Sequence, residues 1–475
     1  MQNTLVRKLF GSSPNPRFKQ RGLLLDISRN RVPNMKWLYR FIDALEVLRF
    51  NELQLYSEHT FAYQEHSTVW SDASPMTAAE IRSLDAYCGA RGIELVANQN
   101  SFGHLERWLK HDRYRALAEC PEGFTHPISG KHKDPSTLYP SKESLDFIHS
   151  LYCELLPNFR SKQIHVGGDE PWELGKGRSQ EAVKIDGKQA VYLDYMQSVF
   201  DLAEQQECSA QFWADIILEK SSLIQQLPKQ VTPVIWGYES DFPFDLHCHA
   251  IADGGFRGQF YVAPGAGNWN SFSGRLGVAE ANIKNAAQSG HTHGASGLLL
   301  TAWGDNGHHQ PYATLYPSLI LTTAACWGTA ISTLELADAI DAVFYKDGEL
   351  ATGNGAALCE LGAIDAMLPQ PALPNSFLHS AYFANDSELA LLLKRTTTQR
   401  LEQVYTVLKE IQVEALDPEI QLSVELSLAA IERCLGKQMP TKDLHLLLDR
   451  FTSIWLQSSR SGGLNESLQA LKRQN

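Results

Sequence analysis

The sequence predicts a (β/α)8 TIM barrel followed by a C-terminal α-helical domain. Eight short apolar runs, rich in β-branched and aromatic residues, recur over about 300 residues, and amphipathic segments separate them. Beyond about residue 340 only helical patterns continue. Alternation of eight strands and helices over this length is typical of a (β/α)8 barrel, and a chain of 475 residues has room for a smaller domain beside it.

The eight runs are the predicted barrel strands. Between the first two, Met35 to Val47 has apolar residues at helical spacing, and Thr77 to Gly89 begins with a threonine suited to cap a helix. Since helices alternate with strands in this way, we expect a parallel sheet. The runs are Gly22 to Ser28, Glu52 to Ser57, Ile93 to Ala97, Gln163 to Gly167, Ala210 to Ile217, Pro233 to Tyr238, Gln259 to Ala263 and Gly297 to Trp303.

The predicted strands end in polar or aromatic residues. Asp26 to Arg29 follow the first strand, Tyr56 to His59 the second, and Asn98 to His104 the third. Because the carboxyl ends of barrel strands form the active-site face, these side chains are expected to converge on one pocket. The later runs end in the same way, with His165 to Glu170, Trp213 and Asp215, Trp236 and Glu239, Tyr261, and Trp303 with Asp305.

The remaining sequence predicts a helical tail. Leucines and isoleucines at helical spacing recur from Leu401 to Phe451, and Leu389 with Leu391 to Leu393 are expected to form a helix core. Pro369 to Pro374 indicate a stiff connector. The predicted division is an N-terminal extension over 1–20, a catalytic barrel over 21–340 and a helical domain over 341–475.

Composition excludes several classes of partner. A formal net charge of −12 opposes binding to nucleic acid or to anionic membranes. Residues 1–20 contain no apolar run of about seven residues, as a signal peptide requires, and no stretch approaches the roughly 18 apolar residues of a membrane helix. The eight cysteines are widely scattered, which favours reduced thiols and a cytoplasmic location.

A carboxylate pair is the most specific motif. His165-Val-Gly-Gly-Asp-Glu170 is a strand that runs into two glycines and then two adjacent acids. The glycines permit unusual backbone angles and the close approach of a ligand. Two acids pressed together raise the pKa of one of them, and a raised carboxylic acid suits general-acid catalysis at neutral pH.

Tryptophan placement indicates a sugar as the substrate. Trp213, Trp236 and Trp303 each end a different predicted strand, and aromatic faces stack on pyranose rings. Glycoside hydrolysis usually needs two carboxylates on opposite sides of the scissile bond. Asp169 and Glu170 are neighbours, so they cannot readily flank it. One solution is a nucleophile supplied by the substrate, such as a 2-acetamido oxygen that Asp169 orients.

These residues resemble glycoside hydrolase family 20, the β-N-acetylhexosaminidases. The segments Tyr56 to Tyr63, Ser101 to Trp108 and Pro264 to Arg275 are similar to its bacterial branch of cytoplasmic N-acetyl-β-D-glucosaminidases, which lacks the N-terminal α/β domain. The resemblance spans roughly residues 20 to 330, in the family's order, and rests on Gly22 to Arg29, Asn100 to His104, His165 to Glu170, Trp213, Trp236, Tyr261 and Trp303 to Asp305.

The resemblance implies a retaining exo-hydrolase that releases terminal β-linked GlcNAc, with GalNAc as a second candidate, through an oxazoline intermediate. It implies Glu170 as the general acid/base and Asp169 as the residue that orients the acetamido group. The reaction that the resemblance implies needs no cofactor and no metal ion. The implied substrate-binding residues are Arg29 for the 3- and 4-hydroxyls, Tyr261 for the acetamido carbonyl, Trp213, Trp236 and Trp303 around the sugar, Asp305, and His104 and His165 in support.

Three positions depart from the better-known members of the family. Asn100 and Ala263 stand where many members have Asp, and Asp305 stands where Glu is usual. These residues bind outer hydroxyls or support the acid, so the choice between GlcNAc and GalNAc is open. The Asp169–Glu170 pair is intact.

Two other classes of function are alternatives to a glycosidase. A non-catalytic sugar-binding barrel would keep the tryptophans without needing both acids. A metal-dependent barrel hydrolase could gather histidines at the barrel mouth, although no HExxH or other tight ligand spacing occurs. Its candidate ligands are His59, His104, His165, Asp169, His308 and His309.

A homodimer is a further hypothesis. Arg460, Gly462 and Gly463 interrupt the tail helices and resemble an RxGG element of the same branch. One interpretation is contact with a second subunit near its active site, and the other is a glycine-rich helix junction. The expected partner is otherwise a small-molecule amino-sugar glycoside.

Overall fold

The structure is a computed structural model. It describes residues 6–11, 15–345, 353–371, 375–411 and 416–472.

Eight parallel strands close into a barrel, as predicted. The first strand pairs with the second and the eighth, so that Leu25 lies between Leu55 and Ala302. Both apolar and polar side chains occur along the strands, and almost all of them are buried. The strands are β1 (Gln20–Asp26), β2 (Glu52–Tyr56), β3 (Glu94–Asn98), β4 (Gln163–His165), β5 (Ser209–Trp213), β6 (Thr232–Trp236), β7 (Tyr261–Ala263) and β8 (Gly297–Ala302).

Helices connect consecutive strands and surround the barrel. The two helices predicted from periodicity are confirmed. Thr77 forms a capping box with Glu80, which satisfies backbone donors at the start of its helix. The helices up to residue 327 are Met35–Val47, Ser67–Trp70, Ala78–Gly89, Glu106–Leu109, Asp112–Arg115, Lys142–Leu155, Gln180–Asp186, Lys188–Gln205, Asp215–Leu218, Phe244–Ile251, Leu276–His293 and Tyr316–Trp327.

A short hairpin is inserted in the long connection between β3 and β4. Its two antiparallel strands, Phe124–Thr125 and His132–Lys133, stand outside the barrel sheet.

The tail is helical, as predicted, and it packs on the barrel. One continuous hydrophobic core extends from Leu9 through the barrel to Leu471. Its helices are Thr333–Phe344, Asn354–Ala363, Phe377–Phe383, Asp386–Leu393, Thr398–Glu410, Pro418–Cys434, Thr441–Ser458 and Leu464–Lys472.

A buried arginine fastens the tail to the active-site face of the barrel. Arg31, which follows β1, donates hydrogen bonds to the hydroxyls of Ser458 and Ser459 at 2.9 Å. Its guanidinium lies over the rings of Tyr312 and Trp455, with 4.4 and 4.8 Å to the ring centroids. Such contacts compensate the cost of burying the charge.

The RxGG element is used within its own chain. Arg460 donates to Glu80 Oε1 at 2.8 Å and to the carbonyl of Pro75 at 2.7 Å. A side chain on Gly462 would collide with the backbone of Ala73, and one on Gly463 with the backbone of Asn30. The element therefore seats the tail against the loops after β1 and β2.

Three expectations concern the tail. The helix Asp386–Leu393 exists, and Leu389, Leu392 and Leu393 are half-buried and pack against the hydrophobic core. Leu391 is 62% exposed, so the expected leucine core is confirmed only in part. The division at 340 stays a prediction, and the helix Thr333–Phe344 runs across that position. Of the expected connector 369–374, residues 372–374 lie outside the described residues.

Across the described ranges, the helices are all too short or too polar to span a bilayer. All eight cysteines fall within those ranges, and each is a free thiol.

Candidate active site

A strained turn after β4 presents the two carboxylates. Gly167, Gly168 and Glu170 all have positive φ, at 75°, 96° and 45°. A side chain on Gly167 would collide with Asn100, and one on Gly168 would lie 2.8 Å from the hydroxyl of Tyr192. Only glycine fits at both positions, which explains the Gly-Gly of the motif.

His104 bridges the two acids. It comes from the loop after β3, and its Nε2 lies 3.1 Å from Asp169 Oδ2 and 3.6 Å from Glu170 Oε2. Burial would lower the pKa of His104, but the charge and the hydrogen bond of Asp169, together with the charge of Glu170, outweigh burial and raise it to about 10. The imidazole is therefore a cation at neutral pH, held between two carboxyl groups.

Asp169 and Glu170 have pKa values displaced in opposite directions. Burial raises the pKa of Glu170 to about 7, with Asp169 adding to the rise and His104 opposing it. Burial would also raise the pKa of Asp169, but His104 and Arg29 hold it below its ordinary value. Near neutral pH one acid can hold a proton while its neighbour stays ionised, as acid catalysis beside an anion requires.

A third acid, Asp215, supports this turn from the end of β5. Its Oδ2 accepts the backbone N–H of Glu170 at 3.4 Å, and its side chain lies beside the indole of Trp236. Burial, with Asp169 and Glu170 adding to it, raises the pKa of Asp215 to about 7. From the sequence, Asp215 is predicted only as a polar strand end, without a role.

Arg29 joins three carboxylates on the opposite side of the barrel mouth. Its guanidinium nitrogens lie 3.1 Å from Asp26, 3.2 Å from Glu58 and 3.5 Å from Asp305. Its pKa stays well above the ordinary value in spite of burial, because Tyr56 and these carboxylates surround it. The side chain is 22% exposed, so part of it faces the pocket.

Aromatic rings line the space within the barrel mouth. Trp303 packs edge-on to Tyr56 at 4.8 Å and lies 6.1 Å from Trp213. Trp236 stacks on Tyr238 at 5.1 Å. The indole nitrogens of the three tryptophans are buried without hydrogen-bond partners among the described residues. The structure therefore brings the three predicted tryptophans into one aromatic group.

Tyr261 does not reach the carboxylates, in contrast to its expected role. It is the first residue of β7, and its hydroxyl donates to Glu52 Oε2 at 3.0 Å, at the start of β2. Tyr238, after β6, interacts electrostatically with Asp169 and Glu170. The reason is position along the strand: Tyr261 enters the barrel below the layer that forms the pocket.

His165 lies beneath the motif and outside the open pocket. It is fully buried, its Nδ1 accepts the N–H of Gly167 at 3.1 Å, and its ring packs on Trp213 at 4.3 Å. Burial lowers its pKa to about 3, so the ring is neutral. Its position makes it a support for the glycine turn.

The residues that depart from the better-known family members have visible surroundings. Asn100 donates to the hydroxyl of Tyr56 at 2.7 Å, and thereby holds one wall of the pocket. Ala263 ends β7 beside the tryptophans, and Asp305 faces Arg29.

A metal ion would find a smaller donor set than the sequence suggested. Among the described residues, His104, Asp169 and Glu170 offer ligand atoms within 4.8 Å of one another. His309 is instead engaged with the carbonyl of Ser467 at 3.1 Å, and His165 with Gly167. The imidazolium state of His104 disfavours a metal, because a ligating imidazole nitrogen must be unprotonated.

An acid with a raised pKa beside an ionised one, inside an aromatic pocket at the carboxyl end of a (β/α)8 barrel, defines a glycoside hydrolase. The profile of "Glycosyl hydrolase family 20, catalytic domain" matches residues 18–243, from β1 through β6 and the residues that follow. Residues 18–243, just under half of the chain, are thus similar to the catalytic domain of glycosyl hydrolase family 20.

Individual relatives agree with this assignment. Human hexosaminidase D is 25% identical over 344 residues, which are 66% of each chain. The mouse β-hexosaminidase subunit alpha is 25% identical over 266 residues, 51% of this chain and 47% of that one. The chain thus spans about two thirds of the first relative and half of the second.

Solved structures show the same fold. The chitobiase of Flavobacterium johnsoniae superposes with a TM-score of 0.56 at 16% identity, covering 96% of this chain and 78% of that one. The exo β-N-acetylglucosaminidase of Vibrio harveyi, solved with N-acetylglucosamine, gives 0.53 at 17% identity, covering 66% and 55%.

Proposed function

We propose that the protein is a retaining, exo-acting β-N-acetylhexosaminidase that removes terminal β-linked GlcNAc, with GalNAc as the second candidate sugar. The observation that carries this proposal is the displacement of the pKa values of Glu170 and Asp169 in opposite directions around His104.

The adjacency of the two acids supports substrate-assisted catalysis. Neighbours on one turn cannot lie on opposite faces of a sugar, as two enzyme carboxylates of a retaining glycosidase do. The acetamido oxygen of the substrate therefore attacks the anomeric carbon as the C1–O bond to the leaving group breaks. Glu170 transfers its proton to the leaving oxygen, while Asp169 accepts the amide N–H and stabilises the positive charge.

The second half of the reaction returns the enzyme to its starting state. Glu170, now ionised, takes a proton from water, and the water oxygen attacks the anomeric carbon of the oxazoline. The C1–O bond to the acetamido oxygen breaks, and the sugar leaves with retained configuration. Because one group acts first as acid and then as base, a pKa near 7 suits both steps.

The walls of the pocket fit an amino sugar. Trp236, which is half-buried, offers a face for the pyranose ring, with Trp213 and Trp303 buried beside it, and Arg29 offers donors for the outer hydroxyls. We assign the bond to the acetamido carbonyl to Tyr238, because it lies near both acids while the hydroxyl of Tyr261 is taken by Glu52.

Three aryl glycosides test the reaction and the sugar together. Rates on the p-nitrophenyl β-glycosides of GlcNAc, GalNAc and glucose should fall in that order, with the glucoside inert because it has no acetamido group. Glu170→Gln and Asp169→Asn should each lower kcat strongly, and a GlcNAc-thiazoline should inhibit tightly as a mimic of the intermediate.

Two results would contradict the proposal. Wild-type protein that binds GlcNAc but turns over none of the three glycosides would favour the non-catalytic sugar-binding barrel. Hydrolysis that is insensitive to the thiazoline would remove the substrate-assisted route and leave simple hydrolysis.

We further propose a cytoplasmic location, supported by eight free thiols, and tested by fractionation of the native cells. A homodimer stays a proposal, tested by light scattering. Since Arg460 is engaged with Glu80 of its own chain, a dimer would have to form without it.

A further inference from the structure

A second cavity lies at the same end of the barrel as the carboxylate pair. It has a volume of about 570 Å³, within the range of roughly 300–1,000 Å³ that is usual for small-molecule sites. Its walls come from the loops after β1, β2 and β3 and from the tail, and neither Asp169 nor Glu170 lines it. Representative lining residues are Ser28, His59, Thr68, Arg107, Ser461 and Asn465.

The cavity backs onto the wall of the catalytic pocket. Three of the lining residues, Ser28, Asn30 and His59, are adjacent in sequence to residues of the catalytic pocket. Ser28 and Asn30 flank Arg29, and His59 follows Glu58. The ion pair of Arg29 with Glu58, at 3.2 Å, thus belongs to the partition between the two spaces. A ligand in the second cavity would lie outside the pocket in which the terminal sugar is cleaved.

The lining is polar and close to neutral. Serine and threonine hydroxyls and asparagine amides come from eight of its 19 lining residues. The charge of Arg107 is balanced by Glu466 at 2.9 Å, and Lys110 is accompanied by Asp72 in the same lining. A balanced set of hydroxyl, amide and ionic groups suits a neutral ligand with many hydroxyls better than an anion.

Two imidazoles beside the cavity have unused hydrogen-bonding capacity. His59 is only 4% exposed, and its Nδ1 has no partner among the described residues. The Nε2 of His111 is likewise buried without a partner. Buried polar atoms are normally paired, so unpaired ones that border a cavity are available to bond a polar ligand there. Burial, with Arg107 and Lys110, lowers the pKa of His59 to about 3, so it would bond a hydroxyl as a neutral ring.

We propose that this cavity is a second saccharide-binding site, which takes a neutral sugar unit of a glycan other than the residue being cleaved. The identification of the ligand as a sugar rests on the proposed function. Aliphatic side chains such as Val32 and Val69, rather than aromatic rings, supply the apolar part of the lining. Weak binding, with a Kd of about 1–10 mM, is expected without a stacking face.

The test is a saturation-transfer NMR titration of wild-type protein with GlcNAc, while GlcNAc-thiazoline occupies the catalytic pocket. We expect a second binding event in the millimolar range. Ser461→Trp should weaken it at least about tenfold, since the new ring would fill the cavity. Thr68→Trp, at another lining residue of the cavity, provides a second blocking variant if Ser461→Trp does not fold.

Ser222→Trp is the matched control, because Ser222 is exposed and lies outside the cavity lining. All three variants should keep wild-type kcat on the aryl GlcNAc glycoside. Absence of a second event, or an event that both cavity variants leave unchanged, would overturn the proposal.

A failure of the proposed function gives a different pattern. The thiazoline would then not bind and no glycoside would turn over. GlcNAc binding to the free protein would still report on the cavity, through its loss in Ser461→Trp and its retention in Ser222→Trp.

Discussion

Replacing His104 should move the whole pH profile of the enzyme upward. The imidazolium of His104 lowers the pKa of both Asp169 and Glu170. In His104→Gln this charge is gone, and both carboxyl groups should become weaker acids. Asp169 must be ionised and Glu170 must be protonated, so both limbs of the bell-shaped profile should shift to higher pH.

The distance between the groups sets the size of the effect. At 3.6 Å between His104 Nε2 and Glu170 Oε2, two unit charges interact by about 5 kcal/mol at an effective dielectric constant of about 20. The side chain of Glu170 is 30% exposed, and water at the mouth of the barrel screens part of this interaction. Arg29 also remains as a nearby positive charge. We therefore expect a shift of about 1–2 pKa units, equivalent to about 1.4–2.7 kcal/mol.

The assay is the pH dependence of kcat/KM on the aryl GlcNAc glycoside, which reports the pKa values of the free enzyme. The sign follows from the acid form of Glu170: wild-type activity is present below pH about 7 and declines as pH rises through that value. His104→Gln should keep its remaining activity to higher pH. His249→Gln, an exposed histidine paired with Asp253, is the control and should leave the profile unchanged. A basic limb that stays in place in His104→Gln would refute the electrostatic account of Glu170.

Three other outcomes are expected. Asp215→Ala should lower kcat about tenfold or more with little change in KM, because the strained backbone N–H of Glu170 loses its hydrogen-bond acceptor. Asp215→Asn should keep most of the activity. Equal losses of activity in the two variants would argue against a positioning role for Asp215. Arg31→Ala should lower the free energy of unfolding in urea by about 3 kcal/mol. Arg450→Ala, at an exposed arginine, should lower it by less than about 1 kcal/mol. Similar urea midpoints for the two variants would show that other contacts hold the tail. Prolonged treatment with EDTA should leave activity intact. A loss of activity that a divalent metal ion restores would favour a metal-dependent hydrolase.

The turn that carries the acids could be predicted because its information is local. His165 to Glu170 follow one another along a strand end, so their order alone places two glycines before two carboxylates. The tryptophans were predictable for a related reason: each ends an apolar run, and in a barrel all such ends lie on one face.

Other parts of the site depend on contacts between distant segments. Asp215 meets the backbone of Glu170 across 45 positions of sequence, and Glu58 meets Arg29 across 29. In the sequence both are ordinary acids at strand ends. The proposed replacement of Tyr261 by Tyr238 as the residue that bonds the acetamido carbonyl has the same origin, because the height of a side chain in the barrel follows from strand register and tilt.

The sequence by itself determined the barrel, the helical tail and the identity of the acid pair, because periodicity and strand-end chemistry are short-range properties of the chain. The tertiary structure decided which acid is protonated, since that depends on burial and on the cation of His104 brought from another loop. It also decided where the tail lies. Arg31 and Arg460 donate hydrogen bonds to residues 380 or more positions away in sequence, and those contacts seat the tail beside the barrel mouth and complete the second cavity.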